Sequence, residues 1–388
     1  MSLVATLICN PADPALDSTV VDGALAILPS PGHAQWLFDE VAVDIPFTGS
    51  ADVRAIEHRL RAARGDLPID IVVQPQGFRR KKLLLADMDS TMIGQECVDE
   101  LADYAGVKEH VARITERAMR GEIEFEPALR ERVALLKGLP VGVIDEVLKK
   151  RITPTPGGRE LVATMRAHGA HTCLISGGFT LFTGAVAAML GFHEHRANEL
   201  VVRDGKLTGE VKEPILGRAA KLATLIELRE SFDLDDIDTL AVGDGANDLD
   251  MIQAAGLGVA YHAKPAVAAA AAARIDYGDL SALLYAQGYQ RDEFVDAYSL
   301  RSSPRKRGPI RRTVDGWRQS VGPSSATITF SGYGSPLSRG RRIHFGRGRP
   351  ASSSAWANTY CMLSATNRSS PSALATSSRT DFLPSFFS

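Results

Sequence analysis

The chain is poor in cysteine. Of 388 residues only Cys9, Cys97, Cys173 and Cys361 are cysteines, far apart and with no C-x-x-C pair. That excludes a disulfide framework and a four-cysteine zinc site, and reads as buried or incidental thiols in a reducing compartment. Lysine and arginine are absent before Arg54, so there is no basic region to open a secretory signal peptide. No apolar run approaches the roughly 18 residues that a membrane-spanning helix needs. A cytoplasmic protein without a membrane partner is the expectation.

Acidic residues are scarce in one place. Residues 301–388 hold 14 Lys and Arg against 2 Asp and Glu, which leaves the preceding 300 residues at −14 although the whole chain is only −2. An acidic body gives no support to nucleic-acid binding, so no nucleic-acid partner is expected. The basic segment is dense in Arg, Ser, Pro and Gly without a period and reads as a disordered tail, 299–388. It is either a genuine tail or translated sequence foreign to the working protein, and the second is favoured. What remains, 45% hydrophobic and 23% charged overall, is ordinary globular composition of a length that predicts two or three domains.

Residues 1–75 read as β-α-β-β-α-β. Strands are expected at Leu3 to Cys9, between Trp36 and Phe47, and at Ile69 to Val73. Helices are expected at Ser18 to Leu28 and from a Ser50 cap to Arg64, with Val53, Ile56 and Leu60 on one face. That order is ferredoxin-like. It resembles the ACT-like domains that bind amino acids or mediate pairing, and the resemblance leaves a homodimer open beside a purely structural role. A linker follows at 76–82, within the stretch QPQGFRRKK, whose four basic residues read as solvated.

Residues 83–298 alternate strands and helices, the pattern of a parallel α/β sheet. Leu83 to Ala86 reads as a buried strand, His171 to Ile175, Thr239 to Val242 and Gly258 to Tyr261 as further strands, and an alanine-rich helix is expected near Pro265 to Arg274. Leu200 to Val211 reads as a hairpin turning at Asp204-Gly205, followed by a helix from Gly217 to Ser231. Between the first two strands lies a charged, helical insert of about 94–153, with helices at Glu96–Tyr104, Val107–Arg120, Phe125–Lys137 and Val141–Lys150. It is expected to cap the carboxyl ends of the strands, where the ligand site of an open α/β sheet lies.

Reactive groups stand at those ends: Asp87 and Asp89 with Ser90 and Thr91, then Ser176, then Asp244, with Lys221 on the intervening helix. Singly each has a plain reading, as an Asp/Ser turn, a helix cap or a solvated lysine. Together and in order they resemble the four motifs of the haloacid dehalogenase superfamily: DMDST at 87–91, Ser176, Lys221 and GDGANDLDM at 243–251. The pattern D-x-D-S-T-x-x-x-x-E-x-x-D-E-L from Asp87 to Leu101, with MRGEIEF at 119–125 and LRER at 129–132, is similar to the phosphoserine phosphatases of that superfamily. Met88 stands where they often carry Phe. The likeness covers about 80–290, and implies a Rossmann-like parallel sheet with a helical cap.

The resemblance implies hydrolysis of O-phosphoserine, the last step of serine biosynthesis, with Mg²⁺ held by Asp87, the Asp89 backbone carbonyl and Asp244, and with Asp248 in support. Asp87 would be the nucleophile and Asp89 the acid and then the base. Ser176, Gly177 and Lys221 would hold the phosphoryl group. For the amino-acid part, Glu96 would take the ammonium and Arg132 the carboxylate, with Met119, Phe125 and Asn247 as further contacts. Phe125, Leu129 and Arg132 are spaced to share one helix face. Rival readings are phosphoryl transfer to homoserine, hydrolysis of another small phosphorylated metabolite, and a non-enzymatic amino-acid sensor.

Overall fold

Two apolar strands, SLVATLIC and LLLAD, are buried along almost their whole length, and each becomes the spine of a sheet. The computed structural model describes residues 2–49, 52–119 and 122–295. The chain divides into two units, Met1–Gly308 and Pro309–Ser388, and every described residue lies in the first. The expected tail and Cys361 lie outside the described residues.

The first sheet takes β1 (Ser2–Cys9), β2 (Gln35–Phe38), β3 (Ala42–Thr48) and β4 (Ile69–Pro75), with helices α1 (Ser18–Ile27) and α2 (Val53–Ala63) between them. Its order is β2-β3-β1-β4, all antiparallel, as in a ferredoxin-like fold. α2 buries Ile56 and Leu60. The helix begins at Asp52, which accepts from the Arg54 N–H at 3.0 Å; the expected cap, Ser50, lies outside the described residues.

Of the four basic linker residues Arg80 and Lys82 are exposed, as expected, but Arg79 and Lys81 are not, which corrects the sequence reading for that pair. Arg79 pairs with Asp44 and donates to the Tyr285 and Ala286 carbonyls, and buried Lys81 donates to the carbonyls of Phe78 and Ile237 at 3.0 and 2.8 Å. Arg80 meets Glu293 and Lys82 meets Asp238. Composition names a linker, but only the fold shows which carboxylates and carbonyls surround it. A further fastening comes from Asp70 of β4, fully buried, which accepts from the N–H groups of Asp276, Tyr277 and Gly278 at 2.7, 3.2 and 2.7 Å.

The second sheet starts with β5 (Leu83–Asp87). Cap helices α3 (Cys97–Tyr104), α4 (Lys108–Met119), α5 (Phe125–Ala134) and α6 (Gly142–Lys150) follow, then α7 (Gly158–Ala167), β6 (His171–Phe179), α8 (Thr180–Leu190) and β7 (Glu194–Asn198). The hairpin β8 (Leu200–Arg203) and β9 (Lys206–Val211) turns at Asp204 and Gly205 with φ of 51° and 71°, both in the left-handed region that tight hairpins favour. Then come α9 (Arg218–Ser231), β10 (Thr239–Gly243), α10 (Leu249–Ala254), β11 (Leu257–Tyr261), α11 (Pro265–Ala270), β12 (Ala273–Ile275) and α12 (Ala282–Ala286). The order is β12-β11-β10-β5-β6-β7, with every pair parallel. The alanine-rich helix is shorter than expected: it stops at Ala270, because Ala273 to Ile275 pair with β11 and extend the sheet. Helix propensity yields there to strand pairing.

The register places Asp87 opposite Ile175, and Ala86 opposite Val242, so the carboxyl ends of β5, β6 and β10 share one edge. The cap joins that edge through two adjacent segments tied by Gly94 N–H to Thr153 O at 3.1 Å and Thr155 N–H to Met92 O at 3.0 Å. No helix among the described residues is long and apolar enough to cross a membrane.

Candidate active site

A buried lysine at the end of an α/β sheet must be paired, because an isolated charge there loses its hydration. Lys221 on α9 is fully buried, and its Nζ donates to Asp87 Oδ1 and to Asp248 Oδ1, each at 2.6 Å. Asp248 is itself wholly buried, and its other oxygen accepts from the Gly245 N–H at 3.1 Å. Gly243 is the end of β10, and a Cβ there would come within 2.4 Å of Asp248 Cγ. That position therefore admits only glycine while Asp248 keeps its place.

Asp89 faces the other way. Its Oδ1 accepts from the Cys97 N–H at 2.9 Å and its Oδ2 from the Ser176 hydroxyl at 3.0 Å, while Ser176 Oγ accepts from the Gly178 N–H at 2.8 Å. The turn from β5 into α3 is made possible by Ser90, whose φ of 56° is left-handed. Ser90 donates to Glu96 Oε1 at 2.7 Å, which fixes that carboxylate beside the site. Thr91 donates to Asp244 Oδ1 at 3.4 Å.

These groups open into a cavity of about 500 Å³ between sheet edge and cap. Asp87, Asp89, Ser176, Gly177, Asp244 and Asn247 border it from the sheet side, and Glu96, Phe125, Leu129 and Arg132 from the cap side. The expected helix face of Phe125, Leu129 and Arg132 is thus formed. Lys221 lies behind the wall, held by its two carboxylates. The side chain of Met119 lies outside the described residues.

Phe125 seats the cap. A Cβ on Gly177 would meet its Cζ at 3.1 Å, and one on Gly217 its Cδ1 at 3.2 Å, so the ring rests on two glycines. Asn198, which no motif marked, ties the two together: its amide donates to the Gly177 and Leu216 carbonyls at 2.8 and 3.1 Å and accepts from the Leu216 N–H at 2.6 Å. Sequence reasoning also passed over Asp99, Arg218 and Lys264, which border the cavity. Lys264 could have been found, since it follows β11 as the other site residues follow their strands.

The electrostatics are unbalanced. Burial, with the charge of Asp248, pushes the Asp87 carboxyl well above the usual carboxylate range, and Lys221 opposes this. Burial and Glu96 push Asp89 up to about 6, against the Cys97 N–H; burial and Asp248 push Asp244 up to about 6. Burial disfavours the charge on Lys221, but Asp248 and Asp87 outweigh it and hold the amine above its ordinary value. Oxygens of Asp87, Asp244 and Asp248 lie within 4.8 Å of one another, an arrangement that could hold a metal ion.

At the cap end, burial lowers the Arg132 guanidinium below its ordinary value while Asp99, Glu96 and Asp89 oppose. Its Nε donates to Ala128 O at 3.2 Å.

Comparison with known proteins agrees with this geometry. Residues 84–253 match the family of haloacid dehalogenase-like hydrolases. The chain is 43% identical over 227 residues to a phosphoserine phosphatase of Archaeoglobus fulgidus, covering 58% of this chain and 65% of that one. It is 42% identical over 206 residues to a phosphoserine phosphatase of Methanocaldococcus jannaschii, covering 53% of this chain and 97% of that one. The structure of a probable phosphoserine phosphatase from Vibrio cholerae, in unliganded form, superposes with a TM-score of 0.61 at 32% identity, covering 75% of this chain and 88% of that one. The chain spans a little under two thirds of the length of several curated relatives.

Proposed function

The chain belongs to the haloacid dehalogenase-like hydrolases, and from that premise we propose that it hydrolyses O-phosphoserine to serine and phosphate, as the last step of serine biosynthesis in the cytoplasm. One observation carries the reading: Lys221 binds Asp87 at the sheet edge, Asp89 stands two residues away on Ser176, and the same cavity ends in Glu96 and Arg132. The first set suits a phosphoryl group. The second suits the ammonium and carboxylate of a free amino acid.

Asp87 Oδ attacks phosphorus; the bond to the serine oxygen breaks, and Asp89 gives that oxygen its proton. The product is free serine and a phosphoryl group on Asp87. Asp89, now ionised, takes a proton from water as the water oxygen attacks phosphorus. Phosphate leaves, and both carboxyls are restored. The pKa of about 6 at Asp89 suits a group that must both give and take a proton near neutrality. Lys221 spends two of its donors on Asp87 and Asp248 and so sets positive charge against the attacking carboxylate from behind the cavity wall.

Mg²⁺ fits this site. The donors at hand are oxygens, which a hard cation prefers, and Lys221 alone does not neutralise the clustered carboxylates. Asp87, Asp244 and the Asp89 carbonyl would hold the ion, since Asp248 is taken up by Lys221 and Gly245. When bound, it supplies positive charge that draws electron density from the phosphoryl oxygens. The test is phosphate release from O-phosphoserine with Mg²⁺ and with a chelator. Release that ignores the chelator overturns the metal assignment, and no release at all overturns the substrate.

A further inference from the structure

The cavity wall contains a buried polar atom that the chemistry above does not use and that has no hydrogen-bond partner among the described residues. Thr115 of α4 borders the cavity together with Glu96, Asp99, Phe125 and Arg132. Its Oγ1 is shielded from solvent and has no hydrogen-bond partner among the described residues. Buried hydroxyls are nearly always paired, and a helical threonine has the carbonyl three or four residues back within easy reach. Thr115 does not use it. Two arginine nitrogens, Arg61 Nη1 and Arg64 Nε, are also buried without a hydrogen-bond partner among the described residues, but Arg61 Nη1 faces Asp276 at 3.8 Å and both side chains bond through their other nitrogens. Thr115 has no second polar atom.

The surroundings sharpen the contrast. Val98, Ala118, Ile123 and Leu129 border the same cavity, and Val111 and Ile114 beside it on α4 are fully buried. Valine would fill this place as well as threonine and without an unmade hydrogen bond. A polar atom kept unpaired against an apolar wall makes sense if its partner arrives with the ligand. Threonine in a helix occupies two χ1 wells, so a single rotamer hop can turn the hydroxyl toward the cavity.

We propose that Thr115 is a substrate-contacting residue whose hydroxyl hydrogen-bonds the charged amino-acid head of the phosphorylated substrate, in the same cavity as Arg132. This rests on the phosphoserine reading. A hydroxyl can donate to a carboxylate or accept from an ammonium, so either end of the zwitterion suits it. The contact discriminates: it is made with an amino-acid phosphate and has no counterpart in an aryl phosphate.

The test uses the full chain with Thr115→Val, which keeps shape and removes the hydroxyl, and Thr115→Ser, which keeps the hydroxyl. Each is assayed with O-phosphoserine and with p-nitrophenyl phosphate, and each is melted without substrate. Thr115→Val should raise KM for O-phosphoserine about fivefold, the usual size of one lost hydrogen bond. It should leave the aryl phosphate unchanged and melt no lower than wild type. Thr115→Ser should restore KM. Equal effects on both substrates, an unchanged KM in Thr115→Val, or a serine variant no better than valine would overturn the contact alone. A wild-type chain that releases no phosphate from O-phosphoserine overturns the functional reading and the contact with it.

Discussion

Lys221 and Asp87 are 134 positions apart in sequence and 2.6 Å apart in space, one donating to the other inside the protein. The pair links α9 to the end of β5, and Asp248 completes it from the short 3-10 turn (Ala246–Asp248) after β10. Breaking a buried ion pair from one side leaves an uncompensated charge, at about 3–5 kcal/mol. Lys221→Met should therefore lower stability by about that much and abolish turnover, read by chemical denaturation and phosphate release. An undiminished stability would mean that the buried groups are not charged as a pair in the folded protein, and undiminished turnover that Lys221 has no part in the reaction.

Arg132 should select substrate rather than perform chemistry. Arg132→Ala is expected to raise KM for O-phosphoserine on the order of 10- to 100-fold, the scale of hydrogen bonds to a charged group. With p-nitrophenyl phosphate, which has no carboxylate to clamp, the loss should be small. Equal losses with the two substrates would make Arg132 a structural residue.

The fastening of the first sheet to the second is polar and specific. Asp70→Asn keeps size but replaces one acceptor oxygen with a donor, opposite three N–H groups. Loss of buried, charge-assisted bonds should lower stability by about 2–4 kcal/mol without changing KM for substrate. Denaturant unfolding and steady-state kinetics on the same sample separate the two effects.

Lys81 gives the protein a measurable pH dependence. Burial lowers its amine to about 8 from 10.5, with Asp238 opposing. Between those values the unfolded chain binds more protons than the folded one, so stability contributed by this group rises with pH across that window. Lys81→Met removes the titration. Wild type should therefore gain stability relative to Lys81→Met as pH rises from 8 toward 10.5, and a flat difference in Tm over that range would refute the shift.

Much of this arrangement was legible in the sequence. Short apolar runs ending in Asp87, Ser176 and Asp244 declare themselves as buried strands with reactive ends, and strand-end placement predicts that they meet. The cap helices are marked by Gly106 and Gly138 and by the spacing of Phe125, Leu129 and Arg132. What was not legible depends on partners far along the chain. Arg79 and Lys81 look like solvated charges until Asp44 and the carbonyls of Ile237 and Ala286 close around them. Asn198 is an unremarkable residue in a strand, yet it joins Gly177 to the segment that leads into α9. β12 was hidden because alanine-rich sequence favours helix, and only the open edge of β11 makes it a strand.

In the proposed reaction everything depends on Asp87 acting as the nucleophile toward O-phosphoserine. The most direct measurement is inorganic phosphate and serine released from O-phosphoserine by wild type and by Asp87→Asn, which keeps size and removes the attacking charge. Equimolar phosphate and serine from wild type, with a loss of at least about a thousandfold in Asp87→Asn, is the predicted result. Turnover that survives the substitution, or phosphate appearing only as a new ester of an added alcohol such as homoserine, would contradict it.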